Sequence, residues 1–166
     1  LGPPKSPQES IAQGIETAKK AIALDERNPY PHGTLALLYM NKGDYDGAVE
    51  EGERAVSLDP NSPSTLVAYG STLYHASRPA EAIAVFQKVL RLCPLKPPSM
   101  ALTNIANSYR TLGQYDEAVR FYKKLLKEYP DHFSGNIALT ATYSLMDRPE
   151  EARAQAEEVM RLNPKF

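Results

Sequence analysis

The chain has 166 residues, of which 42% are hydrophobic and 23% charged, and its 19 basic residues balance its 20 acidic ones. This composition is typical of a soluble, folded chain, and the lack of a charge excess argues against nucleic acid or an anionic membrane surface as a partner. No apolar run approaches the roughly 20 residues that cross a bilayer, and no signal-peptide pattern stands at the N-terminus, so we expect a cytoplasmic location.

The first predicted element is an amphipathic helix within residues 6–28. Ser6 is a candidate N-cap, Pro7 stands at the first helical position and Glu9 closes a capping box. Apolar residues then share one helical face, at Ile11, Ile15, Ala18 and Ile22. We expect residues 1–5 to form a flexible tail, and the opening LGPPKSP, without an initiator Met, suggests a fragment of a longer protein.

The remainder of the chain repeats with a period of 34 to 36 residues. A proline ends a similar six-residue sequence four times, in AVSLDP, VLRLCP, LLKEYP and VMRLNP. These prolines are Pro60, Pro94, Pro130 and Pro164, with spacings of 34, 36 and 34 residues. Twelve residues before each proline stands an alanine, namely Ala48, Ala82, Ala118 and Ala152. A tyrosine or leucine lies twenty-one residues before each proline, and a small residue three positions earlier. Agreement at several independent positions indicates a helical repeat.

This pattern resembles the tetratricopeptide repeat (TPR), in which each unit is a helix A, a tight turn and a helix B. The resemblance implies an all-α fold, a right-handed α-α superhelix (TPR solenoid) of antiparallel helix pairs. The predicted units are residues 29–62, 63–98, 99–132 and 133–166. Residues 6–28 are then helix B of an incomplete first repeat, or an N-terminal capping helix.

Four residues depart from the TPR pattern. His32 and Asn136 take the first large apolar position of helix A, while Gly52 and Ala156 stand where helix B usually carries an aromatic residue. We expect looser packing in the two units that contain them.

The connections between helices also carry local signals. The turns GDYDGA and GQYDEA place a glycine after helix A, where positive φ is accessible, whereas SRPAEA and DRPEEA place a proline near the start of helix B. A two-residue, proline-rich insertion within residues 95–98 predicts a stiff joint and a changed step between units.

The single cysteine, Cys93, ends a helix B and therefore lacks the helix N-terminal field that lowers a thiol pKa, so we interpret it as structural.

The TPR resemblance places helix A along a concave wall, so candidate partner-binding residues are those of helix A that point away from helix B. They are Tyr30, Thr34, Leu37, Met40, Asn41, Ser71, Tyr74, His75, Asn104, Asn107, Arg110, Ala141 and Ser144. The first part of this set is apolar and aromatic and suits a hydrophobic anchor, and the amides and the arginine suit a peptide backbone and a carboxylate. The lysine positions with which one TPR subclass clamps chaperone C-termini hold Gly33, Val67 and Ser64, so that ligand is disfavoured.

Nothing in the sequence predicts catalysis, a cofactor or a metal site. DHFS, residues 131–134, has the letters of a hydrolase triad, but four consecutive residues cannot converge as a triad requires. KGDYDGAVEEGE, residues 42–53, imitates a calcium loop but has Lys42 where the first carboxylate ligand belongs. His32, His75 and His132 lie in different units, without ligand spacing.

We therefore predict a non-catalytic protein–protein interaction scaffold that binds a peptide or a helix of a partner protein on its concave surface. Three stretches further resemble the TPR arrays attached to bacterial class III adenylate/guanylate cyclases and related multidomain signalling proteins: GERAVSLDPNSPSTLVAYGSTLYHASRPAEAI, NSYRTLGQYDEAV and EEARAQAEEVMRLNPKF. The alternative is thus a regulatory or oligomerisation segment of such a protein. We expect the unit 133–166 to be truncated before a capping helix, leaving Val159 and Leu162 exposed for self-association.

Overall fold

The structure is a computed structural model and describes residues 6–165. Within that range every regular element is an α-helix, which confirms the predicted fold class. The nine helices found there are α1 (Pro7–Leu24), α2 (Pro29–Lys42), α3 (Tyr45–Leu58), α4 (Pro63–His75), α5 (Pro79–Leu92), α6 (Ser99–Thr111), α7 (Tyr115–Glu128), α8 (Phe133–Leu145) and α9 (Pro149–Leu162). The predicted flexible tail, residues 1–5, lies outside the described residues.

Side-chain caps fix several of the helix starts. The capping box predicted for α1 is present: the Glu9 backbone N–H donates to Ser6 Oγ at 3.2 Å, and the Ser6 N–H donates to Glu9 Oε2 at 2.8 Å. Asn28 caps α2 and Asp44 caps α3, each with a side-chain oxygen that accepts a backbone N–H at 3.1 Å. These bonds satisfy amide groups that a helix leaves without an internal partner.

One residue with positive φ lies in each turn from helix A to helix B. Gly43 (φ 87°) and Gly113 (φ 72°) serve this role as expected. Ser77 (φ 60°) and Asp147 (φ 54°) occupy the equivalent places, each 34 residues further on. The two proline-containing turns therefore make the same left-handed backbone step, which costs a non-glycine residue about 1–2 kcal/mol.

The loops from helix B to the next helix A differ in length at one place. They span four residues at 25–28, 59–62 and 129–132, and six residues at 93–98, where the two additional residues were placed. Pro97 in this longer loop is buried, and its carbonyl accepts a hydrogen bond from Tyr129 Oη at 2.9 Å.

Cys93 is half-buried just after α5. Its backbone N–H donates to the Val89 carbonyl at 2.9 Å and so extends the hydrogen-bonding pattern of the helix end. A changed step between units at this joint stays a prediction.

The helices group into two compact units, Leu1–Glu81 and Ala82–Phe166, so the division falls within α5. In the first unit α2 packs against α1, α3 and α4, and α3 also packs against α4. In the second unit α7 packs against α6 and α8, α9 packs against α8, and α6 touches α8. The A helices α2 and α4 are therefore neighbours, as are α6 and α8, which is the arrangement that stacked repeats require.

The polar residues that replace a large apolar side chain in helix A are buried and hydrogen-bonded. His32 is buried on α2, with Nδ1 2.7 Å from Glu51 Oε2 on α3. Asn136 on α8 is 1% exposed, and its Oδ1 accepts a hydrogen bond from Gln155 Nε2 on α9. The expectation of looser packing is wrong at His32 and Asn136, because at each of them a polar pair fills the site between helix A and helix B. Ala156, in contrast, lines an apolar groove between α8 and α9.

Gly52 also marks a close contact instead of a loose one. A Cβ built on Gly52 would lie 2.8 Å from Tyr69 Cδ2 and 3.3 Å from the Tyr69 Cα atom. Helices α3 and α4 therefore approach each other too closely here for any larger side chain.

Candidate peptide-binding surface

The first unit carries a shallow groove between the neighbouring helices α2 and α4. It has a volume of about 170 Å³ and is lined by Tyr30, Gly33, Thr34, Leu37, Ser64, Thr65 and Ala68. Three of the predicted partner-binding residues, Tyr30, Thr34 and Leu37, meet in this groove. Tyr30 is 61% exposed at the first turn of α2.

Apart from the Tyr30 phenol, the side chains that line the α2–α4 groove carry no titratable group. Two small residues, Gly33 from α2 and Ala68 from α4, line the groove together with Tyr30. The groove can therefore discriminate ligands by shape and apolar contact more than by charge.

A larger groove of about 640 Å³ lies between α1 and α2. Its lining residues are Ser10, Gln13, Gly14, Thr17, Ala18, Ala21, Asn28, Tyr30, Pro31, Thr34 and Leu38. Tyr30 and Thr34 line both grooves, so they form a ridge between them. The sequence prediction missed this surface, although the small residues Gly14, Ala18 and Ala21 share one face of α1 and could have indicated it.

The other predicted residues of the first unit differ in exposure. Asn41 and His75 are exposed, whereas Met40 and Tyr74 are half-buried. Tyr74 packs edge-on against His75, with 5.2 Å between the ring centroids.

Ser71 is only 2% exposed, and its Oγ donates to a backbone carbonyl within α4. The placement of Ser71 among the partner-binding residues is wrong, because a buried hydroxyl is closed to a ligand.

In the second unit the predicted polar residues lie on α6. Asn104, Asn107 and Arg110 are each half-buried, and Tyr122 Oη donates a hydrogen bond to Asn107 Oδ1. Arg110 makes no ion pair with any residue from 6 to 165. Ser144, on α8, is exposed. Among the predicted residues of α6, Arg110 is the strongest candidate for contact with a partner carboxylate, because it carries a guanidinium group.

An apolar groove of about 370 Å³ lies between α8 and α9. It is lined by Ile137, Thr140, Ala141, Ala156, Val159 and Met160. The expectation that α9 exposes Val159 is wrong: Val159 is buried, Leu162 is half-buried, and Met160 is the 49% exposed apolar residue.

Residues considered for metal binding or catalysis hold structural hydrogen bonds. Asp44 Oδ1 accepts the Gly47 N–H at the start of α3, and His132 Nδ1 accepts the Gly135 N–H at the start of α8, each at 3.1 Å. Over the described range, no three His, Cys, Asp or Glu side chains come together as a metal site. Between residues 6 and 165 no helix is both long enough and apolar enough to cross a membrane.

Three side chains whose pKa differs from the ordinary value, Tyr69, Glu81 and Glu151, lie outside the lining of the α2–α4 groove. Hydrogen bonds from Arg78 lower the pKa of Glu81, and those from Arg148 lower the pKa of Glu151. Burial, followed by the nearby Glu53 carboxylate, raises the pKa of Tyr69 to about 12. These shifts follow from ion pairing and desolvation, the ordinary consequences of helix packing.

Helix pairs that recur at a fixed period, with neighbouring A helices, define a helical-repeat protein of the solenoid class. Models described as tetratricopeptide repeat match residues 29–62, 61–131 and 109–166. The chain belongs to the tetratricopeptide repeat family.

Curated relatives share this repeat over much of the chain. The DnaJ homolog subfamily C member 7 homolog of Schizosaccharomyces pombe is 28% identical over 145 residues, covering 79% of this chain and 30% of that protein. The peroxisomal targeting signal receptor of Saccharomyces cerevisiae is 30% identical over 93 residues, covering 55% of this chain and 15% of the receptor. The chain thus spans less than a third of the length of either relative.

Solved structures share the fold. PilW, a type IV pilus biogenesis factor, superposes with a TM-score of 0.89 at 24% identity, covering 96% of this chain and 73% of PilW. MamA gives a TM-score of 0.81 at 21% identity, covering 95% of this chain and 91% of MamA. YrrB gives a TM-score of 0.75 at 18% identity, covering 95% of this chain and 80% of YrrB. These likenesses show that the chain has the fold of a TPR solenoid.

Proposed function

We propose that the chain is a non-catalytic interaction module that holds a peptide or a helix of a partner protein against its A helices. The observation that carries this proposal is the α2–α4 groove, which exposed Tyr30 lines together with the small residues Gly33 and Ala68. An aromatic side chain beside a small-residue groove is typical of an anchoring contact in protein recognition.

Two relatives support a peptide or protein ligand. YrrB is a TPR protein with an unusual peptide-binding site, and the yeast relative is a receptor for a peroxisomal targeting signal. In this chain Gly33 and Ser64 line the α2–α4 groove, at positions where the chaperone-binding subclass carries lysine. The ligand we propose is therefore an apolar segment and not a C-terminal carboxylate.

The second unit carries a polar set of its own on α6. Asn104, Asn107 and Arg110 can pair with the backbone and with an acidic side chain of a partner. Arg110→Ala tests this contribution separately from that of the α2–α4 groove.

Tyr30→Ala should weaken binding of the partner about tenfold or more, because it removes the exposed aromatic anchor of the groove. The measurement is calorimetric titration of the partner, identified first by affinity capture with the unaltered chain. Tyr45→Ala is the matched control, since Tyr45 is also an exposed tyrosine but lies on helix B α3. Equal affinity of the Tyr30 and Tyr45 variants would contradict binding in the α2–α4 groove.

A second candidate function is a regulatory or oligomerisation segment of a multidomain signalling protein, such as an adenylate/guanylate cyclase. The α8–α9 groove favours it, because an apolar groove beside exposed Met160 is suited to a second helix.

If this groove mediates self-association, the chain should sediment as a dimer at micromolar concentration and Met160→Glu should return it to a monomer. Ala154→Glu, which changes another exposed position of α9, should leave the dimer intact. A chain that stays monomeric throughout the concentration range would exclude this function for the α8–α9 groove.

A further inference from the structure

The near-neutral charge of the whole chain conceals a difference in sign between its two compact units. Residues 1–81 carry 11 acidic and 7 basic side chains, whereas residues 82–166 carry 9 acidic and 12 basic ones. The opposite signs stand at equivalent places on two B helices, the acidic side chains on α3 and the basic ones on α7.

Helix α3 exposes an acidic row that consists of Asp46, Glu50 and Glu53. Intervals of four and three residues place these carboxylates on one face of the helix, and all three are exposed. Glu53 accepts a hydrogen bond from Tyr69 Oη at 3.1 Å, but no member of the row makes an ion pair with any residue from 6 to 165. Arg54 is the only basic residue in the α3 sequence. The negative charge of the acidic row is therefore left for an external cation.

Helix α7 exposes a basic row on the corresponding face. Its members, all exposed, are Arg120, Lys123, Lys124 and Lys127. A shift of 70 residues brings Glu50 and Glu53 of the acidic row onto Arg120 and Lys123. Arg120 pairs with Glu117 at 2.6 Å, whereas the three lysines make no ion pair with any other residue that the structure describes. The carboxylates of α7 lie in its first turn and at its last residue, so the basic row is uninterrupted.

The two rows match in spacing as well as in sign. The intervals of four and three residues in the acidic row recur at positions 120, 124 and 127 and, in the opposite direction, at 127, 123 and 120. Each row extends over seven residues, which is about 10 Å along a helix. Three carboxylates can therefore meet three cations at once, whichever way the two helices run.

The other acidic B helix, α9, does not offer such a row. A shift of 104 residues turns the acidic row into Glu150, Ala154 and Glu157, with an alanine at its centre. Glu151 and Glu158 are each paired with an arginine three residues away. Helix α3 is therefore the better match for the basic row.

We infer that the chain associates with itself, the acidic row of one copy lying against the basic row of a second copy. A second copy is the occupant that the charges favour, because it carries the complementary row at the matching spacing. The contact is heterologous, since the two rows lie in different units, so a dimer joined by one contact keeps an unpaired row of each sign. Exposed ion pairs contribute little individually, so the association is weak and requires several pairs at once.

Sedimentation of the chain over a range of concentrations, at two salt concentrations, measures this association. The Debye length falls from about 30 Å at about 0.01 M salt to about 3 Å at about 1 M. We expect an association constant at least about tenfold greater at the lower salt. Association through the apolar α8–α9 groove would persist at the higher salt, so the measurement distinguishes the two contacts.

Two charge-reversed variants test the rows themselves. Asp46→Lys with Glu50→Lys should abolish the salt-sensitive association, and so should Lys124→Glu with Lys127→Glu, because each variant then has two rows of the same sign. An equimolar mixture of the two variants should associate again, since each supplies the row that the other has lost. Misfolding of either variant cannot produce this recovery.

Glu150→Lys with Glu157→Lys is the matched control, because it changes the net charge as much as the α3 variant does but at exposed positions of α9. It should associate within about twofold of the unaltered chain. A chain whose average mass does not rise with concentration at the lower salt would overturn the proposal. An equal loss of association in the α9 and α3 variants, or a mixture that stays monomeric, would overturn it as well.

Discussion

Gly52→Ala should lower the free energy of unfolding by up to about 2 kcal/mol, although alanine is the better helix former. The added Cβ would lie 2.8 Å from the Tyr69 ring and 3.3 Å from the Tyr69 Cα atom, so α3 and α4 would have to separate. Overpacking of this kind costs about 1–3 kcal/mol, which exceeds the gain of about 1 kcal/mol from removing a helical glycine. Urea denaturation of the variant and the unaltered chain measures the difference.

Gly33→Ala is the matched control for Gly52→Ala. A Cβ on Gly33 would find its nearest neighbours, the Cβ atoms of Ala68 and Ala55, at 3.9 and 4.0 Å, which is ordinary contact. We expect this variant to be more stable by about 0.5–1 kcal/mol, because only the helix propensity changes. Stabilisation by both substitutions would mean that the α3–α4 contact has room that the structure does not show.

The sequence alone was sufficient to predict the fold, because the same pattern of small and apolar residues recurs in four units. Ala48, Ala118 and their equivalents recur every 34 or 36 residues, and each is buried. The positive φ of Ser77 and Asp147 was not predicted, because neither residue type favours the left-handed region that glycine adopts at the equivalent position of the other two turns. Aligning the turns by repeat would have found it.

The candidate site was predicted less well than the fold. Repeat register placed Tyr30, Thr34 and Leu37 on one wall, because it sets the direction of a side chain relative to its own helix B, and all three line the α2–α4 groove. It could not predict that Ser71 is buried, since depth depends on everything packed around a helix. The α1–α2 groove was missed because it lies over the small residues Gly14 and Ala21, which the apolar face predicted from Ile11, Ile15, Ala18 and Ile22 does not include.

The buried polar pairs show a regularity that the sequence does contain. His32 and Glu51 are 19 residues apart, as are Asn136 and Gln155, and the two pairs occupy equivalent positions in their repeats. At the same positions the other two repeats hold Leu66 with Val85 and Leu102 with Phe121. Each repeat is thus polar at both positions or apolar at both, as expected if a buried polar group requires a partner.

Asn136→Leu alone should lower the free energy of unfolding by about 2–3 kcal/mol. It removes the acceptor of Gln155 Nε2 and two donor bonds, to the carbonyls of Pro130 at 3.3 Å and His132 at 3.1 Å, from a side chain that is 1% exposed. Breaking one side of a buried hydrogen-bonded pair carries the full desolvation cost of the group left behind, about 1–3 kcal/mol. Urea denaturation gives the loss.

Asn136→Leu combined with Gln155→Phe should recover most of that stability, to within about 1 kcal/mol of the unaltered chain, because no unpaired side-chain amide then remains between α8 and α9 and only the bonds to the carbonyls of Pro130 and His132 stay lost. The two new residues copy Leu102 and Phe121, both buried in the preceding repeat, so their shapes suit the crossing of helix A and helix B. A double-mutant cycle completed with Gln155→Phe measures the coupling free energy, which should exceed about 1 kcal/mol. Additive losses would instead show that the two positions are independent, and that the matched residue types in each repeat do not reflect a required pair.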